Sequence, residues 1–268
     1  MPQTRQTAIS INKNLAQLEE LPQSVIGYGR DLDKGDILPF HSHRRAQLVY
    51  ASNGVMAVTT RSASYVVPPQ RAVWMPGGIE HQIDARSAVA MRTLYIEPQA
   101  ATGLPGEVCV LQVAPLLREL IVEAVTAGPG YDSDSPQSRI MAVILDQIRN
   151  QPVASLALPI PSDPRLSRLV RSLISNPADS RSLDEWANEV GASKRTLVRL
   201  FPAHTGMTFR DWRQQRRLLR AVELLTTGET VTSVALEVGY NNTSAFIAMF
   251  RRCLGTTPMR YLDITDQF

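Results

Sequence analysis

Residues 182–201 read SLDEWANEVGASKRTLVRLF, and residues 230–250 read TVTSVALEVGYNNTSAFIAMF. The two stretches align. Leu183, Ala187, Val190 and Gly191 correspond to Val231, Ala235, Val238 and Gly239. After one inserted residue, Leu197, Phe201, Gly206 and Trp212 correspond to Phe246, Phe250, Gly255 and Tyr261. Each copy has a short helix with a buried alanine, a glycine turn, and a second helix with apolar residues at i and i+4. The small alanine lets two helices cross closely, and the glycine ends the first one. The unit is a helix-turn-helix, present twice and separated by a long basic helix.

On these motifs, with the connecting TGMTFRDWRQQRRLLRAVELL and the closing VALEVGYNNTSAFIAMFRRCLGTTPMRY, residues 165–262 resemble the DNA-binding domain of the AraC/XylS family of bacterial transcription regulators. The resemblance implies two recognition helices entering successive major grooves on one face of promoter DNA. It also implies RNA polymerase as a partner if the protein is an activator. By the family's pattern, Arg195, Val198 and Arg199 are base-facing.

The residues read alone give similar roles. A helix over 193–201 begins with Ser193 as N-cap. Leu197, Leu200 and Phe201 face inward, which leaves Lys194, Arg195, Val198 and Arg199 outward. Arginine in a major groove bonds guanine O6 and N7 in bidentate fashion; the bland alternative is a solvated charged face. In the second recognition helix the outward positions are Asn242, Thr243, Ser244, Ile247 and Ala248. They are short and carry no arginine. With Asn241 they form an N-terminus suited to phosphate contacts, and Arg251 and Arg252 are further phosphate candidates. The connecting helix carries Arg210, Arg213, Arg216, Arg217 and Arg220, which face either DNA backbone or solvent. Its apolar stripe is Trp212, Leu218, Leu219, Ala221, Val222 and Leu225. Pro202 is expected to shorten or kink the first recognition helix.

Working outward, residues 151–164 (QPVASLALPIPSDP) contain four prolines and read as a linker over 152–164. Asp163-Pro164 then reads as N-cap and first helical residue of a domain spanning 165–268. The charge follows this division. Residues 1–164 carry 13 Lys/Arg against 15 Asp/Glu, and residues 165–268 carry 15 against 10. Only the second part has the balance expected of a polyanion binder. Before the linker, residues 115–151 hold two amphipathic helices, with stripes Leu116, Leu117, Leu120, Ile121, Ala124 and Ile140, Val143, Ile144, Ile148. They either cover the preceding domain or pair with a second copy in a homodimer.

Residues 1–114 look like β-structure: AQLVYAS, VMAVTT, SYVVPP, RAVWMP and VAMRTLYIE are short apolar runs between turn residues. Ser52 to Gly54 reads as a hairpin turn. Within GDILPFHSHRRAQLVYASNG (35–54), His41 and His43 lie two apart, on one face if the segment is a strand. The segment resembles the first cupin motif, with Gln47 where metal-binding cupins have glutamate. PGGIEH (76–81) resembles the core of the second and offers His81, although Gln70 and Ala85 replace its flanking glycine and asparagine. The resemblance implies a small jelly-roll-like β-barrel in which His41, His43, Gln47 and His81 hold one divalent transition metal (Zn, Ni, Mn or Fe) or a small-molecule effector directly. Three neutral imidazoles and an amide leave a divalent ion uncompensated. Arg44, Arg45 and Arg71 are candidate carboxylate partners.

The composition is that of a globular protein, 44% hydrophobic and 20% charged. No apolar run approaches the roughly 20 residues of a membrane span. MPQTRQTAIS lacks the apolar segment of a secretion signal. Cys109 and Cys253 lie in no C-x-x-C and read as buried small apolar residues in a reducing compartment, the bacterial cytoplasm. The leading expectation is a two-domain regulator with no catalytic residues. The alternatives are a metal-dependent cupin enzyme (dioxygenase or isomerase) with accessory helices, and an architectural DNA-binding protein with an inactive barrel.

Overall fold

The computed structural model describes residues 17–154 and 157–266, so MPQTRQTAIS lies outside the described residues. The chain divides into two units. The first holds residues up to Thr60 and from Tyr65 to Ala154, and the second holds 61–64 and the residues from Ala157 on.

The β-rich runs of the first unit pair into two sheets. One runs in the order β1 (Val25–Leu32), β8 (Val89–Ile96), β3 (Ala46–Asn53), β6 (Arg71–Met75), β9 (Cys109–Gln112), β10 (Val153–Ala154). The other contains β5 (Ala63–Val67), β4 (Met56–Thr60), β7 (His81–Ala85) and β2 (Ile37–His41) in that order. Pairing is antiparallel throughout the first sheet, and between β7 and both its neighbours in the second.

The outer face of the first sheet is covered by α1 (Pro115–Ala127) and α2 (Pro136–Arg149). Ala46, Leu48 and Tyr50 of β3, Trp74 of β6 and Leu94 of β8 pack there against Leu117, Ile121 and Ala124 of α1, with Met141, Ile144 and Ile148 of α2. Strand alternation sends Gln47 and Val49 to the opposite face. Because both faces are covered, β3 is buried from Ala46 to Ala51. The helix stripes are narrower than the sequence suggested. Leu116 is 55% exposed and Val143 43% exposed, and Met141 takes a buried place instead.

Two other expectations are corrected. Ser52 to Gly54 does not close a hairpin, because β3 belongs to the first sheet and β4 to the second. The turn is a corner between sheets. Gly54 is required there: its φ is +80°, and a Cβ would lie 2.0 Å from the Ala88 carbonyl oxygen. Cys109 is half-buried and Cys253 exposed, so neither is the buried apolar residue expected. Cys253 instead faces Gln214 of the connecting helix, with Nε2 and Sγ 3.3 Å apart.

The second unit contains β11 (Ala157–Pro159), α3 (Pro164–Ser175), α4 (Leu183–Val190), α5 (Lys194–Thr205), α6 (Phe209–Thr226), α7 (Val231–Glu237), α8 (Thr243–Leu254) and α9 (Pro258–Asp266). Side-chain caps start α3 to α8: Asp163, Ser182, Ser193, Thr208, Thr230 and Asn242. Ser182 and Glu185 form a reciprocal capping box. Gly191 ends α4 in the left-handed region.

The aligned repeat reappears as aligned packing. Phe201 meets Trp212 at 6.4 Å between ring centroids in the first copy, and Phe250 meets Tyr261 at 5.6 Å in the second. Pro202 does not shorten α5, which continues to Thr205, and the Gly206 N–H donates to the Pro202 carbonyl. A proline loses one bond to the preceding turn, while Phe201, buried among aromatic rings, holds the helix in place.

Gly27 of β1 tests the contact between sheet and helix. A Cβ on Gly27 would lie 2.3 Å from the Ala124 carbonyl oxygen of α1, which is backbone and cannot turn aside. Gly27→Ala should destabilise the first unit by about 1–3 kcal/mol, read as a lower urea midpoint.

Candidate effector site and DNA-facing helices

His41, His43 and His81 converge, with ligand atoms all within 4.8 Å of one another. Three parts of the fold bring them there. His41 ends β2 and stands across from His81, the first residue of β7, in the register of the second sheet. Gln47 comes from β3 of the first sheet. His43 lies between β2 and β3, outside both strands, so strand alternation does not place it. The cluster therefore joins the two sheets at one corner.

Each imidazole is oriented through Nδ1 by a main-chain carbonyl two residues away. His41 faces Pro39 O at 2.8 Å, His43 faces Arg45 O at 2.6 Å, and His81 faces Ile79 O at 2.9 Å. A carbonyl only accepts, so Nδ1 carries the proton and Nε2 presents a lone pair. The Gln47 amide nitrogen donates to Thr93 Oγ1 at 2.9 Å, and Thr93 in turn donates to Leu48 O. Gln47 Oε1 consequently faces His43 Nε2 at 3.0 Å and His81 Nε2 at 3.1 Å. Acceptor faces acceptor in the interior of the unit, where His43, Gln47 and His81 are all buried.

Protonating His81 would relieve its share of the conflict, but burial opposes it. Loss of water pushes the His81 pKa down to about 3, and the neighbouring His41 adds to the effect. His41 is also lowered, first by burial. Tyr95 closes the site on one side, its ring edge-on to His43 at 5.1 Å.

Sequence reading did not find Thr93, which sets the direction of the Gln47 amide. Its only signal is a polar residue in the apolar run VAMRTLYIE. The arginines take other partners. Arg44 pairs with Glu97 and Glu19, Arg71 donates to the Gln70 carbonyl, and Arg45 is 1% exposed and donates to the carbonyls of Leu21 and Gln23.

In the second unit, Lys194, Arg195, Val198 and Arg199 lie on the exposed side of α5, with Val198 55% exposed. Lys194 is paired with Asp184 of α4 at 2.7 Å. On α8, Asn242, Ser244, Ala248 and Arg251 are exposed, while Thr243 and Ile247 are half-buried. The Asn242 side chain accepts from the Ala245 N–H at 2.7 Å, so it caps its own helix. Arg252 donates to Gln214 of α6. The arginines of α6, apart from exposed Arg210, bond the protein: Arg213 to Arg181 O, Arg216 to Ile174 O, Arg217 to Pro177 O, and Arg220 to Glu223 and Glu237.

A two-sheet unit with an internal polar cluster, followed by a helical unit with two helix-turn-helix hairpins, defines a regulator that carries a ligand domain and a DNA domain in one chain. Residues 25–185 match the AraC-like ligand binding domain, and residues 186–264 match a helix-turn-helix domain. The chain is 39% identical over 224 residues to the HTH-type transcriptional regulator NimR of Escherichia coli (strain K12), covering 84% of this chain and 82% of that one. It is 39% identical over 103 residues to the HTH-type transcriptional regulator RipA of Corynebacterium glutamicum, covering 38% of this chain and 31% of that one. A solved structure of ToxT from Vibrio cholerae covers 90% of this chain and 98% of its own, at 12% identity and a TM-score of 0.39, a likeness that carries no argument. The chain belongs to the AraC family of ligand-responsive, DNA-binding transcriptional regulators. Among the described residues no helix is long and apolar enough to cross a membrane.

Arg199 supplies a test of base reading. Arg199→Ala should cost about 1–3 kcal/mol on the preferred operator and relax preference at one or two base pairs. Equal loss on every sequence, measured by selection from a random DNA library, would make it a phosphate contact instead.

Proposed function

We propose that this regulator senses its effector through one divalent transition ion (Zn, Ni, Mn or Fe) held by His41, His43, Gln47 and His81. The observation that carries the reading is the convergence of acceptors. Three imidazoles with their protons directed at main-chain carbonyls, and an amide whose nitrogen is taken by Thr93, leave three nitrogen lone pairs and an oxygen together. A cation suits such a donor set, and imidazole with amide oxygen is borderline-soft chemistry appropriate to these metals. The bound ion would supply positive charge; the set contains no carboxylate, so that charge would favour an anionic effector beside it. The site's use is regulatory, with no catalytic residue assigned.

In the same reading α5 reads promoter bases through Arg195, Val198 and Arg199, with Lys194 beside them. Helix α8 positions the protein through Asn242, Thr243, Ser244, Ile247, Ala248 and Arg251. Residues 165–268 form the DNA-binding domain, working in the bacterial cytoplasm. Exposed Leu116 and Val143 on α1 and α2 support a homodimer through residues 115–151. An activating role would add RNA polymerase as a partner.

Metal content is the test. Untagged protein purified without chelator should hold close to one transition ion per chain, and His81→Ala should hold none. Chelation should lower the melting temperature of the wild type and leave that of His81→Ala unchanged. Gln47→Glu should tighten the ion by about tenfold or more, since a carboxylate adds a negative ligand worth at least ~1.4 kcal/mol. Metal-free wild-type protein that resists loading would contradict the reading. It would mean that the Gln47 amide is turned to donate to His43 and His81.

A further inference from the structure

The segment between α3 and α4 does more than join them. Arg216, buried on α6, donates twice to the carbonyl of Ile174 in the last turn of α3, at 3.3 and 2.8 Å. Helix-end carbonyls carry partial negative charge, so a guanidinium is well matched to that place. Arg217 donates to Pro177 O at 3.1 Å, and Arg213 donates to Arg181 O at 2.9 Å. Arg213, Arg216 and Arg217, spaced i, i+3 and i+4 on one side of α6, thus hold residues 174–181 at three points.

The same segment meets both hairpins. Toward the first, Asp179 holds the Arg181 guanidinium at 2.7 Å, and that guanidinium lies 3.7 Å from the ring centre of Trp186 in α4. Toward the second, a Cβ on Gly239, in the turn after α7, would lie 2.9 Å from Ala178 Cα and 3.1 Å from its carbonyl oxygen. Arg217 stands 5.5 Å from the ring of Tyr240 in that turn. The turns between α5 and α6 and between α6 and α7 are only a few residues long. Residues 174–181 thus add a contact to both hairpins beside the packing of Phe201 on Trp212 and of Phe250 on Tyr261.

We propose that residues 174–181, gripped by Arg213, Arg216 and Arg217, form a clamp that fixes the separation of α5 and α8. Arg213 and Arg217 are then positioning residues that set how many base pairs lie between the two DNA elements read. The proposal rests on the reading of α5 and α8 as the DNA-facing helices. It departs from the simpler view of these arginines as phosphate ligands. Arg213 donates through Nη1 to Arg181 O and Arg217 through Nε to Pro177 O, so each is anchored to the protein main chain.

The full-length protein is used for the test, with an operator chosen from a random library and versions carrying one base pair inserted or deleted between its two elements. Recognition elements one helical turn apart are about 10 base pairs from centre to centre, so one base pair displaces and rotates the second element. Wild type should lose about tenfold or more in affinity on either change, the order of a base mismatch. Arg217→Ala should cut that penalty to about threefold or less, and so should Gly239→Ala, whose Cβ would lie 2.9 Å from both Ala178 Cα and Arg217 Nη2 at a φ of +81°. The slope of log affinity against log salt should stay at the wild-type value. Arg217→Lys, which keeps one donor toward Pro177, should recover part of the penalty.

An unchanged spacing penalty in both Arg217→Ala and Gly239→Ala overturns the clamp alone. A uniform loss on all spacings, with the salt slope reduced by about 1, makes Arg217 a phosphate ligand and also overturns it. A wild type with no preferred operator overturns the DNA-facing reading, and the clamp with it.

Discussion

Three imidazole N–H groups directed at main-chain carbonyls are the constraint on which the first unit turns. They fix the tautomer of His41, His43 and His81, and with it the direction of three lone pairs. The fourth member is set the same way, through Thr93 and Gln47. Hydrogen bonds that satisfy one side of a buried polar group normally leave the other side for a matching partner. Here the other sides face each other. Because the residues come from both sheets and from the bend between β2 and β3, occupancy of the cluster bears on how the two sheets meet.

The bend also ties the cluster to the rest of the unit. His43 is followed by Arg44 and Arg45, whose side chains hold residues 19–23 and Glu97. The Arg45 carbonyl is the group that orients His43. One short segment therefore carries a candidate ligand, that ligand's orienting group and the anchor of the preceding chain. The helical unit follows a similar economy, with residues 174–181 bonded to α6 and packed against both hairpins.

Much of this was legible in the sequence. The repeat of Ala187 and Gly191 with Ala235 and Gly239 announced two hairpins, because close helix crossing and helix ending each demand a particular small residue. Trp212, Leu218, Leu219, Ala221, Val222 and Leu225 are buried as their helical period implied. His41, His43, Gln47 and His81 meet, as the spacing of two motifs suggested. What escaped were contacts without a period. Thr93 lies 46 residues from Gln47, and Arg216 lies 42 from Ile174. Long side chains reaching main-chain carbonyls leave no pattern, so the α6 arginines resembled a solvated or DNA-facing row. Cys253 departs from the usual burial of cysteine because its position on α8 falls on the exposed side.

The proposed ion at His41, His43, Gln47 and His81 can regulate transcription only if its binding is coupled to that of operator DNA. Linkage requires such coupling to be reciprocal: whatever factor an ion held there would add to operator affinity, operator DNA would add to ion affinity. The direct measurement is operator affinity by fluorescence anisotropy for metal-loaded and chelated protein, with ion affinity measured in the presence and absence of operator. The two ratios should agree and lie in the range of about 5–150-fold typical of such coupling. Both ratios equal to one, for a protein that binds the ion and the operator, would contradict it.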